Sequence, residues 1–142
     1  MKKIISIMLF IIGMGYHASA QTKSTNTSST SFQSSLIRGK VIYTQYCMPC
    51  HQVDGSGVMN MNPPLIKTTY VLGNQTELIN ILLKGMKKGV VIDDEEYSNP
   101  MPAVNFLSDL QVADVLTYVR NSFGNKGSVI TPAQVKLVRA KK

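Results

Sequence analysis

Apolar residues recur every three or four positions in separate stretches of this chain, which is the spacing of one helix face. The first stretch predicts a helix over residues 36–46, with Ser34 or Ser35 as its cap. The second predicts a helix that begins after Asn74 and runs to about Lys87. Its apolar face comprises Leu78, Ile79, Leu82, Leu83 and Met86. With no long strand and no internal repeat, these patterns predict an all-α domain.

Two capping-box sequences predict the starts of the last two helices. The one that begins at Ser108 precedes a helix that continues to Phe123, where Gly124 follows as the terminating glycine. The one that begins at Thr131 precedes a short terminal helix that ends in basic residues. Residues 89–100, which contain an acidic run, are predicted to be irregular, with a small hairpin as the alternative and the acidic run as a solvated turn.

The first twenty residues have the pattern of an export signal. A basic start precedes an uncharged, mostly apolar stretch over residues 4–15, and an Ala-x-Ala cleavage pattern ends at Ala20. This apolar stretch falls short of the roughly twenty residues that span a bilayer. We therefore predict a cleaved signal peptide over residues 1–20 and an exported product, with a retained membrane anchor as the alternative.

The next segment is almost devoid of apolar residues. Ten of the fifteen residues from 21 to 35 are Ser or Thr. Such a segment cannot bury enough apolar surface to offset the entropy lost on ordering. We predict a disordered Ser/Thr-rich linker over residues 21–34 and a single folded domain over residues 35–142.

The charge of the chain is modestly basic. Fifteen Lys and Arg stand against eight Asp and Glu, so the formal net charge is +7. Loss of Lys2 and Lys3 with the signal leaves 13 basic against 8 acidic residues, or +5. Lys84, Lys87 and Lys88 cluster at the predicted end of the second helix, where they could steer an acidic partner or merely complement the helix C-terminus. So modest a charge on an exported chain argues against nucleic-acid binding.

The strongest chemical signal is the Cys-x-x-Cys-His pattern at Cys47, Cys50 and His51, which is the attachment pattern of c-type haem. Each thiol can add to one haem vinyl group, and the adjacent histidine can then bind the iron. A thiol–disulfide centre and a zinc site are the alternatives. Zinc needs four ligands, whereas the mature chain would offer three, and a thioredoxin-type centre should follow a buried strand rather than a predicted helix.

Haem iron has two axial positions, and the mature chain would contain one histidine. The second ligand is then a methionine, or the position is open. Met101 is the strongest candidate because Pro100 and Pro102 restrict the backbone on both sides of it. A thioether in this position raises the reduction potential relative to a second imidazole. The alternative is that Met101 is a core residue in a proline turn.

Residues 36–140 resemble a class I (monohaem) c-type cytochrome of the bacterial periplasmic kind, similar to dehydrogenase-linked haem c proteins. The motifs that carry the resemblance are Gly39-x-x-x-Tyr43-x-x-x-Cys47, Cys47 to His51, Asp54-Gly55-x-Gly57, Pro63-Pro64-Leu65, Tyr97-x-x-x-Met101-Pro102-Ala103, and Leu107-Ser108-Asp109 followed by Val115 to Asn121. The resemblance implies a cytochrome c-like fold of three main helices plus a short terminal helix around one covalently bound haem c.

The resemblance also implies roles for individual residues. Helix one would cross helix three near Gly39, and the Pro63 carbonyl would accept a hydrogen bond from His51. The implied site comprises Cys47 and Cys50 for covalent attachment, His51 and Met101 as axial iron ligands, and Pro63, Leu65 and Tyr70 in the haem pocket. The sequence departs from the family pattern at Asn99 and Pro100, where similar proteins often carry a glycine and an apolar residue.

The implied function is periplasmic one-electron transfer without substrate chemistry. The expected partners are redox proteins, with a periplasmic dehydrogenase as donor and a terminal oxidase or reductase as acceptor. No nucleic acid and no membrane span after signal cleavage are expected. The chain would act as a monomeric carrier or as a dedicated haem subunit of a dehydrogenase or oxidase complex. A haem enzyme or gas-binding protein with an open sixth site is the remaining alternative, and Met101 argues against it.

Overall fold

The computed structural model describes residues 25–141, and within them the chain forms six helices and one small hairpin. The helices are α1 (Thr25–Tyr46), α2 (Met48–His51), α3 (Thr69–Leu72), α4 (Gln75–Lys84), α5 (Asp109–Arg120) and α6 (Pro132–Ala140), and the strands are β1 (Val90–Ile92) and β2 (Glu95–Tyr97). The predicted signal peptide over 1–20 and the linker residues 21–24 lie outside the described residues. None of the described helices has the length and apolar character that crossing a membrane requires.

Helices α1 and α5 cross at Gly39, as the sequence predicted. A Cβ atom added to Gly39 would lie 2.2 Å from the Asp114 carbonyl oxygen and 2.7 Å from Tyr118 Cβ. Tyr43, one turn further along α1, is buried, and its ring centroid lies 5.4 Å from that of Tyr118 and 5.2 Å from that of Phe123. The absence of a side chain at Gly39 therefore permits the contact between the two helices.

A buried carboxylate reinforces the same crossing. Asp114 on α5 accepts a hydrogen bond of 2.6 Å from Ser35 Oγ and two from Arg38, at 2.6 Å from Nε and 2.9 Å from Nη2. Both donors lie on α1, so the carboxylate fixes the rotation and the register of α1 against α5. Hydrogen bonds to charged groups are among the stronger ones in proteins.

The structure differs from the prediction of a disordered linker, because residues 25–34 continue α1 towards the N-terminus. A helix that is already nucleated adds one hydrogen bond for each further residue it fixes. The part of α1 that Ser35 and Arg38 hold against α5 supplies that nucleus, so a polar composition does not by itself end the helix at Leu36.

Helix α5 lies at the centre of the molecule and packs against α1, α3, α4 and α6. Its capping box is present, with Ser108 Oγ accepting from Gln111 N, and the predicted box at Thr131 likewise caps α6. Helix α5 ends at Arg120, three residues before the predicted end at Phe123. The buried core comprises Ile42, Tyr43, Val71, Leu78, Ile79, Leu82, Leu83, Leu107, Val112, Ala113, Val115, Leu116, Val119, Ile130, Val135 and Val138.

Helix α4 begins as predicted and ends earlier than predicted. The Asn74 side chain accepts hydrogen bonds from two backbone amides of the first turn. The helix ends at Lys84 because Gly85 takes a left-handed conformation, with φ of 73°, and closes the last turn onto Ile81. The prediction that α4 reaches Lys87 and carries Met86 on its apolar face is therefore wrong.

The segment between α4 and α5 contains the hairpin that was the alternative to an irregular loop. β1 pairs antiparallel with β2, and Val90 lies opposite Tyr97. Asp93 and Asp94 form the turn with positive φ values of 52° and 68°. Both are exposed, so this half of the acidic run forms a solvated turn as predicted, whereas Glu95 and Glu96 lie in β2. Asp93 also anchors the hairpin, because its Oδ1 accepts a hydrogen bond of 2.6 Å from Thr69 Oγ1.

We predict that Gly39→Ala lowers the free energy of unfolding by about 1–3 kcal/mol, because the added methyl group would overlap the α5 backbone. Denaturant unfolding of the intact protein measures this. Val41→Ala is the matched control, since Val41 lies on α1 with 63% of its surface exposed, and its effect should stay within about 0.5 kcal/mol. Equal effects of the two substitutions would show that the crossing is not tight.

Candidate haem site

An apolar cleft lies between the helices and the loops that join them, with about 940 Å³ of empty space including its open mouth. Its walls come from the end of α1, from α2, α3, α4, β1 and α5, and from the loops that join them. The residues that the sequence predicted for the site all line this one cleft, namely Cys47, Cys50, His51, Pro63, Leu65, Tyr70 and Met101. The structure therefore brings together residues that are up to 54 positions apart in the chain.

The Cys-x-x-Cys-His pentapeptide forms a single helical turn directly after α1. His51 N donates to Cys47 O at 2.9 Å, and Cys50 N donates to the same carbonyl at 3.2 Å. This turn places both cysteines and His51 at one side of the cleft. Tyr43 ties the turn to α1 from beneath, because its hydroxyl donates a hydrogen bond of 2.6 Å to the Gln52 carbonyl.

The His51 imidazole is buried and held by a single backbone acceptor. Its Nδ1 lies 2.9 Å from the Pro63 carbonyl oxygen, which can only accept, so Nδ1 carries the proton. Burial lowers the pKa of His51, and the hydrogen bond to Pro63 acts in the opposite direction. The neutral ring is thereby favoured, and Nε2 is left as the nitrogen available to a metal.

The Pro63 carbonyl is itself fixed by the loop that precedes it. Gly57 N donates to His51 O at 3.1 Å, and Leu65 N donates to Gly55 O at 2.7 Å. Gly57 has φ of +67°, and a Cβ atom there would lie 2.3 Å from the Asn62 carbonyl and 2.6 Å from that of Pro63. The loop can therefore close on His51 only because Gly57 has no side chain.

Met101 lies in a short backbone pairing with Met86. Met86 N donates to Met101 O at 2.9 Å, and Met101 N donates to Met86 O at 3.0 Å. Both methionines line the cleft. Sequence reasoning placed Met86 on a helix and missed this pairing. Met101 alone of the two also packs against the buried core. Met59 and Met61, by contrast, are exposed.

The two thiols differ in their surroundings. Burial raises the pKa of the Cys47 thiol to about 11, and the neighbouring Cys50 adds to the shift, whereas Cys50 is exposed. Reactive thiol–disulfide centres have lowered thiol pKa values, so this environment disfavours that alternative. Between residues 25 and 141, no three Cys, His, Asp or Glu side chains come together as a metal-binding group, which argues against the zinc alternative.

Two buried polar residues that sequence reasoning missed support the cleft walls. Asn125 Nδ2 donates hydrogen bonds of 2.7 Å to the carbonyls of both Leu65 and Val119. Arg120 is also buried, and its guanidinium donates to the Val71 carbonyl. Both belong to the end of α5 and the turn after it, where polar residues are common. The sequence around Arg120 and Asn125 therefore does not indicate that their side chains are buried.

The donors and the walls of the cleft together fit haem c. Two thiols spaced by one helical turn suit the two vinyl groups, and the imidazole has one free ring nitrogen. Met101 supplies a thioether from the loop between the hairpin and α5. The remaining walls are mainly apolar side chains, as a porphyrin ring requires, and apolar walls with few polar groups are typical of cofactor sites.

Comparison with known proteins agrees with this fit. The family model for cytochrome c matches residues 36–123, which is more than half of the chain. The chain therefore belongs to the cytochrome c family, whose prosthetic group is a covalently bound haem c.

Similar proteins include both a small cytochrome and parts of larger ones. Cytochrome c-552 of Thermus thermophilus is 31% identical over 113 residues, which cover 73% of this chain and 86% of that protein. The cytochrome c subunit of the alcohol dehydrogenase (quinone) of Gluconacetobacter polyoxogenes is 32% identical over 121 residues, which cover 82% of this chain but 25% of that protein. For the fructose dehydrogenase cytochrome subunit of Gluconobacter japonicus the identity is 30% over 129 residues, again 25% of that protein. The chain thus spans about a quarter of the length of these two subunits.

We predict that Gly57→Ala destabilises the protein more than Gly124→Ala does. Both glycines have left-handed φ angles, +67° and +78°, so both substitutions incur similar backbone strain. A Cβ atom at Gly124 would have Lys67 Cε as its nearest neighbour at 3.8 Å, whereas at Gly57 it would overlap two carbonyls. Denaturant unfolding should show an extra loss of about 1–3 kcal/mol for Gly57→Ala. Equal losses would contradict the role of Gly57 in seating Pro63.

Proposed function

We propose that this protein is a periplasmic one-electron carrier whose haem c is attached to Cys47 and Cys50 and has His51 and Met101 as axial ligands. The observation that carries the proposal is that an imidazole and a thioether, 50 residues apart in sequence, line one apolar cleft together with both cysteines. When bound, haem c supplies one iron-centred redox couple, which takes one electron from a reduced donor and passes it to an oxidised acceptor.

The chain's own residues would attach the haem, orient the His51 ring and shield the cleft from water. Cys47 and the single turn of α2 that follows it present both thiols at the spacing that two thioether bonds would need. The Pro63 carbonyl holds the Nδ1 proton of His51, which fixes the ring and increases the basicity of Nε2. Apolar side chains of α4 and α5 exclude water from the cleft. These roles tune a redox group rather than transform a substrate.

An exposed pair of aromatic side chains adjoins one edge of the cleft. Tyr46 lines the cleft and is 40% exposed, and its ring contacts that of Phe106, which is 64% exposed, at a centroid distance of 5.4 Å. Aromatic residues are enriched where proteins dock on one another. We take this edge as the face through which a redox partner approaches the haem.

The second candidate function is that of a dedicated haem subunit in a dehydrogenase complex. The observation that favours it is the similarity to cytochrome subunits of two dehydrogenases. The similarity to cytochrome c-552 over 86% of that protein favours the free carrier instead. A pull-down from the native periplasm distinguishes the two, since a dedicated subunit should copurify with a dehydrogenase in constant ratio, whereas a carrier should elute alone.

We predict that the exported protein begins at Gln21 and exceeds its polypeptide mass by one haem. Intact-mass measurement under denaturing conditions tests export, signal cleavage and covalent attachment together. The added mass should survive acid–acetone extraction, because thioether bonds do not dissociate. In the Cys47→Ala/Cys50→Ala double variant the added mass should be absent. Haem that is extracted from the wild type would contradict covalent attachment, and retention of residues 1–20 with the membrane fraction would favour the anchor.

We predict that Met101→Ala abolishes the weak red charge-transfer band of the ferric protein, lowers the reduction potential and lets the ferrous protein bind carbon monoxide. Each change follows from removing a thioether from the iron. Met59→Ala is the control, because Met59 is 85% exposed and should leave the band intact.

Met86→Ala is the decisive comparison, because Met86 pairs with Met101 and lines the same cleft. We expect the band to persist in this variant. If Met86→Ala abolished the charge-transfer band and Met101→Ala retained it, the iron ligand would be Met86. A wild-type ferrous protein that binds carbon monoxide readily at neutral pH would favour the haem enzyme or gas-binding alternative.

A further inference from the structure

Four hydrogen bonds join the loop before the proposed thioether ligand to the loop that supports the proposed imidazole ligand. Ser98 donates to the Asn60 carbonyl from both its backbone N and its Oγ, each at 2.9 Å. Asn99 donates from its backbone N to the Met61 carbonyl at 3.1 Å. The side chain of Asn99 donates from Nδ2 to Asn62 Oδ1 at 3.2 Å. These bonds connect the segment just before Pro63 to the segment just before Met101.

The side-chain bond lies close to the supports of both proposed ligands. Asn99 is two residues before Met101, and Pro100 between them has a fixed φ. The backbone therefore has little freedom to move Met101 without also moving Asn99. Asn62 directly precedes Pro63, whose carbonyl holds His51. A displacement of Met101 away from the cleft therefore pulls on Asn99 and on the loop that positions His51.

The anchor on the imidazole side is rigid. Asn62 N donates to Val58 O, and Val58 N donates to Asn62 O, both at 2.8 Å. The side chains of Asn62 and Asn99 line a smaller space of about 380 Å³, which is also lined by His51 and Met101. The amide pair thus bridges the two sides of the site at its edge.

We propose that Asn62 and Asn99 act as positioning residues that hold the Met101 loop against the His51 loop and thereby slow the dissociation of the thioether from the iron. The inference rests on the proposed His51 and Met101 ligation. It concerns the Asn99 position at which the sequence departs from the family pattern, and it gives that departure a physical role.

The size of the effect follows from the strength of one hydrogen bond. Release of the thioether requires Met101 to move away from the iron, and the Asn62–Asn99 bond must stretch or break as it moves. A net contribution of about 0.5–1.5 kcal/mol for a hydrogen bond between neutral groups corresponds to roughly a 2- to 12-fold change in rate. Loss of the bond should raise the dissociation rate by this factor.

Imidazole binding to the ferric holoprotein measures that rate. At saturating imidazole the observed rate constant equals the rate at which the thioether leaves, and stopped-flow absorbance follows the loss of the charge-transfer band. We expect Asn99→Ala and Asn62→Ala each to raise this limiting rate constant about 2- to 12-fold. The double variant should be no faster than the faster single variant, because both remove the same bond.

Asn80→Ala is the matched control. Asn80 Nδ2 also donates a hydrogen bond, at 2.9 Å to the Thr76 carbonyl on α4, and it lines neither space. Its limiting rate should equal that of the wild type. Ser98→Ala, which removes only the Oγ bond to Asn60, provides a milder second variant of the contact between the loops and should raise the rate by a factor at the lower end of that range.

Each outcome supports or overturns the inference. Faster, non-additive thioether release in the two asparagine variants with an unchanged control supports the contact. Unchanged rates in both asparagine variants, or rate increases that multiply in the double variant, overturn it while the proposed function stands. A wild-type ferric protein without the charge-transfer band overturns the proposed Met101 ligation, and this inference with it.

Discussion

The hydrogen bond from His51 Nδ1 to the Pro63 carbonyl is the interaction on which the rest of the site depends. It fixes the tautomer of a buried imidazole and leaves Nε2 free for the proposed bond to iron. A carbonyl in a loop can do this only if the loop is itself fixed. The close fit of Gly57 beneath Asn62 and Pro63 meets that condition. The geometry of one ring is therefore determined by a residue without a side chain.

The crossing of α1 and α5 positions Cys47, at the other end of the turn that contains His51. Cys47 follows α1 directly, so the rotation of α1 determines where the first thiol lies. Gly39 and Asp114 set that rotation against α5. The hydrogen bond from the Tyr43 hydroxyl to the Gln52 carbonyl, one residue beyond His51, then fixes the turn relative to α1. The packing of α1 on α5 thus decides whether the thiols and the imidazole face the same space.

Local signals predicted what local physics determines. Caps at Asn74, Ser108 and Thr131 start helices where the sequence indicated, because a capping side chain satisfies amides within its own turn. The end of α4 was predicted wrongly because the apolar pattern was followed to Met86, past the terminating glycine at Gly85. A Cβ atom at Gly85 would lie 2.4 Å from the Met101 carbonyl, a partner 16 residues away that no local pattern reveals.

The two sides of the site therefore differ in kind. On the imidazole side, the thiols and His51 share one helical turn, so sequence spacing alone brings the proposed ligand and the proposed points of attachment together. On the thioether side, Met101 is held by the pairing with Met86, the fit of Gly85 and the contact of Asn99 with Asn62, all of them tertiary. Bonds formed within one turn survive as long as that turn does, whereas tertiary contacts between loops open at lower cost. The thioether side is thus the one at which substitutions outside the motif should alter the site most.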